Sequence, residues 1–327
     1  MIRVWLFILG FAALLVPAPL QAQSWPNKFV RLVIPGGLGT VADFEARLIG
    51  QHLSERWGQQ VIVENKPGAG GMVGTAHIAQ SAPDGYSLLF AQGAPLSLTP
   101  YAMKSVPYDV ERDFDPVVFA GYSPLVLAAS SKLAVSSVAD LIALAKKQPG
   151  KLSFATSSAR SIPHLAAEYF MNETGIKMIH VPYVGYPRAI QDTITGTVDV
   201  IFGGAQIIPQ RDNGGLRMLG VTTAKRILGY EDVPAIGETV PGYAVSGWVG
   251  VMAPKGTPPA IIAKINADMR QVMQRPDVIQ KLHHLAIYPE TTTLGTPEAL
   301  AKFIREDSAL MARILKAAQL APEDAAK

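Results

Sequence analysis

From Phe29 onward, short apolar runs rich in β-branched residues alternate with stretches whose apolar residues recur at helical spacing. Phe29–Ile34, Val61–Val63, Tyr86–Ala91, Val117–Ala120 and Leu125–Ala129 read as strands of a buried sheet. Between the first two, Phe44, Leu48, Ile49 and Leu53 make one apolar helical stripe. The pattern returns with strands at Leu152–Ala155, Met178–Val181, Val198–Phe202 and Met218–Val221, and with helices around 162–173 and 186–195. A strand that is apolar on both faces needs cover on both, and helices lying between strands supply it, so the fold class is α/β with largely parallel sheets. Thr257-Pro258 and Thr296-Pro297 each present an N-cap followed by a proline at the first helical position. The second opens a helix with Leu300, Phe303, Ile304, Leu310, Met311, Ile314 and Leu315 facing inward, and Pro322–Lys327 reads as a frayed end.

Ahead of the first strand, Arg3 precedes an apolar run from Val4 to Val16. That run is about 13 residues, short of the roughly 20 a helix needs to cross a bilayer. Pro17, Pro19 and then Leu20-Gln21-Ala22 complete the three-part pattern of a secretory signal peptide over residues 1–22, with cleavage after Ala22 and a mature chain in the periplasm. Roughly 305 mature residues suit two α/β domains better than one. With 49% apolar residues and a net charge of +3 without a basic block, the chain is neither disordered nor built for nucleic acid. The absence of cysteine excludes disulfide scaffolds, Cys-ligated zinc, iron–sulfur clusters and thiol nucleophiles together.

Two glycine-rich turns stand out. Pro35 to Asp43, between a strand and a helix, would leave backbone N–H groups at a helix N-terminus free to hold an anion, or is an ordinary βα turn. Pro67 to Thr75 lacks the Lys-Ser/Thr ending of a P-loop and fits a dinucleotide fingerprint poorly. Catalytic constellations are thin: His164 with Glu168, and the pair His283-His284, lack a third metal ligand nearby and read as surface or packing residues. Ser157, Ser158 and Ser161 close to His164 invite a Ser–His hydrolase reading, but a hydroxyl-rich loop before a helix reads better as an N-cap cluster or ligand cradle.

The sequence carries Trp25-Pro26-Asn27-Lys28, Val63-Glu64-Asn65-Lys66-Pro67-Gly68-Ala69-Gly70-Gly71, Ala82-Pro83-Asp84-Gly85-Tyr86 and Pro107-Tyr108-Asp109. It continues with His180-Val181-Pro182-Tyr183, Asp192-x-x-x-Gly196-x-Val198-Asp199, Val221-Thr222-Thr223-Ala224-Lys225-Arg226 and Ala253-Pro254-x-Gly256-Thr257-Pro258. Across essentially the whole mature length, these segments resemble the Bug-type solute-binding proteins, extracytoplasmic receptors of tripartite tricarboxylate transporters. The resemblance implies a two-domain periplasmic-binding-protein fold, a type II-like clamshell with a hinge. Residues 23–123 and 248–327 would form domain 1 and residues 124–247 domain 2. It also implies capture of a small organic carboxylate, no catalysis, no cofactor and no metal.

Carried over to this chain, the resemblance puts the ligand against Gly37, Leu38, Gly39, Thr40 and Asp43 in the first loop and Gln92 and Gly93 after the third strand. Domain 2 would add Ser157, Ser158, Arg160, Ser161, His164, Tyr186 and Gly203. Departures bear on the ligand. Thr40 replaces the second of a glycine pair, Gly36 stands where Phe is frequent, Arg160 where glycine is usual, Gly203 where Asp is frequent, and Tyr186 where a small residue is common. They disfavour an amino acid and favour a dicarboxylate, aromatic or otherwise planar acids included, with Arg160 free for the second carboxylate and Asp43 structural first. The implied partners are the membrane permease subunits of a tripartite tricarboxylate transporter. A ligand-sensing module feeding a sensor kinase and a periplasmic hydrolase using Ser161 and His164 are the alternatives.

Overall fold

The computed structural model describes residues 25–38, 40–284, 287–289 and 293–324; residues 1–22, expected to be a signal peptide, lie outside the described residues. Strands β1 (Val30–Ile34), β2 (Val61–Asn65), β3 (Ser87–Gln92), β4 (Phe114–Ser123) and β10 (Gly247–Pro254) form one sheet in the order β2-β1-β3-β10-β4. Strands β5 (Val126–Ser130), β6 (Ser153–Thr156), β7 (Ile179–Pro182), β8 (Val200–Gly203) and β9 (Leu216–Val221) form the other, in the order β7-β6-β8-β5-β9. Helices α1 (Val41–Trp57), α2 (Met72–Ala79), α3 (Thr99–Ala102) and α4 (Val110–Asp113) belong to the first half of the chain. Helices α5 (Val138–Lys147), α6 (Ile162–Thr174), α7 (Tyr186–Ile194) and α8 (Pro209–Asp212) follow among the second set of strands. Helices α9 (Pro259–Met273), α10 (Pro276–His284) and α11 (Pro297–Ala317) complete the chain.

The sheets are mixed rather than largely parallel. β1 pairs in parallel with β2 and β3, and β6 with β7 and β8, as the βα alternation requires. β10 runs antiparallel to β3 and β4, and β5 antiparallel to β8 and β9. The reason is the path of the chain. β5 and β10 each enter their sheet from the other one, at the end where the parallel strands finish, so they must run the opposite way. The crossings are tied together: Thr222 N–H donates to Leu125 O (3.0 Å), and Val245 N–H to Thr222 O (2.9 Å).

Helix α1 buries Ala42, Ala46, Ile49 and Leu53 against the first sheet, whereas Phe44, expected in that stripe, is 54% exposed. Helix α11 begins at the expected Thr296 cap, whose hydroxyl accepts from Ala299 N–H. At the other site Thr257 turns its hydroxyl to Pro254 O, and α9 starts later, at Pro259. Helix α11 serves both halves. Leu300 and Ile304 pack under the first sheet, and Met311, Ile314 and Leu315 join Leu98 and Ala102 in the core of the second, against Leu165, Tyr169 and Phe170 of α6. Phe303 and Leu310 are less deeply placed, lining a groove of about 550 Å³ with Tyr122 and Tyr288.

Candidate ligand-binding site

Because β1, β3, β6 and β8 all finish at the ends joined by the crossings, the loops that follow them are the segments the two sheets present to each other. The first is Pro35 to Thr40. Thr40 is the N-cap of α1: its hydroxyl accepts from Asp43 N–H (3.3 Å) and donates to Gly37 O (3.0 Å). One oxygen therefore ends the loop and starts the helix. Behind it, the Asp43 carboxylate is 4% exposed and paired with Arg47 (2.9 Å); Arg47 also donates to Asn65 Oδ1, and the Asn65 amide donates to Gly36 O. Asp43 thus braces the loop from inside through a guanidinium and an amide. Among the described residues, the N–H groups of Gly36, Gly37 and Leu38 donate to no protein acceptor. Gln92, ending β3, lays its side chain against Gly36 beside Thr40.

The second glycine-rich segment supports the first. A Cβ on Gly74 would come within 2.8 Å of Pro35 Cα and of Lys66 O, so α2 can press against the loop's base only with glycine at that position. It is a packing contact for Pro35 rather than a phosphate cradle.

The facing loop follows β6. Thr156 and Ser161 both donate their hydroxyls to Ser158 O (2.9 Å each), and Ser161 also caps α6 by accepting from His164 N–H. His164, 5% exposed, accepts Arg160 N–H on Nδ1 (2.9 Å), which puts its own proton on Nε2, 3.3 Å from Glu168. Its ring stacks on His180 at 3.9 Å, and His180 Nε2 meets Thr156 Oγ1 at 2.7 Å. Thr156 has already given its one hydroxyl proton to Ser158 O, so His180 Nε2–H is the donor. Burial, helped by the neighbouring His164, holds His180 down at about 4. Tyr186, opening α7, lies against Gly203, where a Cβ would fall 2.5 Å from its ring. Burial raises its phenol against hydrogen bonds to the Ser157 side chain and the Gly204 backbone. Ser157, Tyr186 and Gly203 are thereby brought together from three different strand ends.

The arrangement is two facing loops rich in neutral donors, joined by two chain crossings. Residues 45–320 match the family described as the tripartite tricarboxylate transporter family receptor. The chain belongs to that family. BugT of Bordetella pertussis is 34% identical over 89% of this chain and 90% of its own length. Among solved structures, Rpa4515 of R. palustris with adipate superposes with a TM-score of 0.78 at 31% identity, covering 91% of this chain and 99% of that one. MatC of Rhodopseudomonas palustris with bound malate gives 0.74 at 25% identity, over 89% and 99%. The family resemblance and the two-domain α/β clamshell expected from it both hold. Receptors of this family are periplasmic solute-binding proteins, not enzymes, and among the described residues no helix is long and apolar enough to cross a membrane.

The hydrolase alternative fails on geometry as well. A Ser–His dyad needs the hydroxyl to give its proton to the imidazole. Here Ser161 gives its proton to Ser158 O, and His164 Nδ1 is filled by a backbone N–H. The other histidine pair is split: His283 stacks on Tyr288, and His284 Nδ1 meets Gln280 O. Gly39, expected in the first loop, lies outside the described residues. Thr40, Asp43 and Gln92 stand in or behind the first loop, Gly93 follows β3 directly, and Leu38 is 75% exposed.

Arg160, expected to be free for a second carboxylate, carries an ion pair within the chain. Its Nε is 2.9 Å from Glu323 Oε2, its side chain is 17% exposed, and its backbone has φ +54°. The left-handed backbone explains why glycine suits this position in the family that the chain resembles. Nor is the tail from Pro322 frayed as far as Asp324. Asn65, present in the motif at Val63–Gly71, and Arg47 were not assigned to the site, although Asn65 ends β2 directly opposite Ile34 and that register is the signal for it.

Proposed function

We propose that this receptor captures an organic dicarboxylate between its two loop sets and hands it to the membrane permease of a tripartite tricarboxylate transporter. The observation that carries this reading is the Pro35–Thr40 loop. It ends on a helix N-terminus, has three backbone N–H groups unclaimed among the described residues, and is braced from behind by Thr40, Asn65 and the Asp43–Arg47 pair. Neutral, pre-oriented donors bind a carboxylate without the desolvation cost of a fully buried ion pair. Ser157 and Tyr186 add hydroxyls from the facing side, and Gly203 places no acid there that would call for an ammonium group. The acids named for two related structures, adipate and malate, each carry two carboxylates.

The domains would be 23–123 with 248–327 and 124–247, turning about the paired crossings at Leu125 and Thr222–Val245, after export and cleavage at Ala22. A thermal-shift screen of the mature chain over mono-, di- and tricarboxylates tests the reading. A dicarboxylate should raise the unfolding temperature by mass action, and small-angle scattering should show compaction on its addition. No response to any dicarboxylate, with a response to sugars or amines instead, would refute it.

A further inference from the structure

The C-terminal end lies along a short stretch of the first half of the chain. Glu323 N–H donates to Ala102 O (3.1 Å), Lys104 N–H donates to Glu323 O (2.9 Å), and Met103 and Glu323 form an isolated parallel bridge. Lys104 Nζ reaches Asp324 at 2.9 Å. The Glu323 backbone is thereby fixed beside α3, while its side chain crosses to Arg160, which follows β6 of the other sheet. The pair is lopsided: the Arg160 side chain is 17% exposed and that of Glu323 52%. The carboxylate is the more exposed partner and the guanidinium the more buried one. On the guanidinium, Nε is ion-paired with Glu323, while Nη1 is shut off from solvent with no hydrogen-bond partner among the described residues.

A guanidinium carries five donors in one rigid plane, so a carboxylate ion-paired beside Nε restricts where the remaining N–H groups can lie. A buried donor with no acceptor is costly, and the group that relieves that cost is an incoming anion. The backbone repeats the message. Arg160 occupies a left-handed conformation that disfavours any side chain, kept there by its N–H bond to His164 Nδ1, in the loop that holds Ser157, Ser158 and Ser161.

We infer that Glu323 is a positioning residue for ligand choice: it anchors Arg160 through Nε and presents Nη1 to the second carboxylate of the acid. This rests on the reading of the cleft as a dicarboxylate site. An acid with one carboxylate would be held by the Pro35–Thr40 loop and leave Nη1 unused, so the preference for two-headed acids depends on a residue supplied from the end of the chain.

The test is calorimetric titration of the mature protein with adipate and with hexanoate, which share a carbon chain and differ by one carboxyl; succinate with butyrate and glutarate with valerate extend the series. The variants are Glu323→Gln, Glu323→Asp, Arg160→Ala and the double variant Glu323→Gln/Arg160→Ala. Glu323→Gln should weaken the best diacid about tenfold or more and its monoacid less than twofold, and Glu323→Asp should retain most of the discrimination. In the Arg160→Ala background, adding Glu323→Gln should change nothing further. The inference is overturned if Glu323→Gln weakens both acids alike, leaves the ratio unchanged, or strengthens diacid binding, the last meaning that Glu323 competes with the ligand. If the wild-type protein binds none of the diacids, the dicarboxylate reading falls, and this inference with it.

Discussion

Glu45, four residues before Ile49 on the buried face of α1, is fully inaccessible, and among the described residues neither carboxyl oxygen has a hydrogen-bond partner. Burial alone pushes its carboxyl up to about 8, so the folded protein holds it protonated at pH 7. A carboxyl in the unfolded chain titrates near 4.3, so at pH 7 folding forgoes roughly 2.7 pH units of ionisation, or about 3–4 kcal/mol at 1.36 kcal/mol per unit. The sign follows from proton counting. Between about 4.3 and 8 the native state binds more protons than the unfolded state, so this residue's contribution is most favourable below pH 4 and is lost as pH rises toward 8. Glu45→Gln removes the ionisation and keeps the shape. At pH 7 it should stabilise the fold by about 3–4 kcal/mol, and at pH 4.5 by almost nothing. With about 2.1 cal/mol/K per residue over roughly 300 residues, the pH 7 gain corresponds to a Tm increase of about 5–6 °C. Differential scanning calorimetry of both proteins from pH 4.5 to 8 measures it. A Glu45→Gln protein that melts with the wild type at pH 7, or whose advantage is the same at both pH values, would refute the argument from unpaired burial.

Three further outcomes are expected. Thr40→Ala removes the cap of α1 and the bond to Gly37 O, so it should cost about 0.5–2 kcal/mol in chemical denaturation and also weaken acid binding, since the loop loses its shape. Gly203→Ala puts a methyl group against both Ile207 Cδ1 and the Tyr186 ring; displacing that ring should lower affinity for the best diacid about tenfold in calorimetric titration, and unaltered affinity would remove Tyr186 from the site. His180 titrates near 4 in the fold and near 6.5 when unfolded, so the unfolded state binds more protons in that window and stability falls as pH drops from about 6.5 to 4. With the ring only half-buried, about 1–2 kcal/mol of that loss should disappear in His180→Phe, which can still stack on Phe154, as read from urea midpoints at pH 7 and 4.5.

What the sequence alone determined is local. Apolar period and β-branching placed β1 to β9 within a few residues, because whether a segment is buried as strand or helix is written in its own spacing, but β10 (Gly247–Pro254) was not read as a strand. The Thr296 cap was legible for the same reason, as was the position of the loops after β1 and β6, and the motifs carried the family. What only the tertiary structure decided involves partners distant in the chain. The direction of β10 depends on the end from which the chain re-enters the sheet. Phe44 is exposed although its spacing matches the stripe, because Ala42, Ala46 and Ile49 turn the buried face away from it. The Asp43–Arg47–Asn65 brace needs β2 beside β1, and the second half of α11 reaches the core under α6 only after both sheets are formed. Arg160 is the clearest case. Its loop marked it as a candidate, yet its partner is Glu323 in a tail that reads as frayed, since a short polar end shows no periodicity. An ion pair between such distant residues leaves no mark on either neighbourhood, and only the packed fold brings the two charges within 2.9 Å.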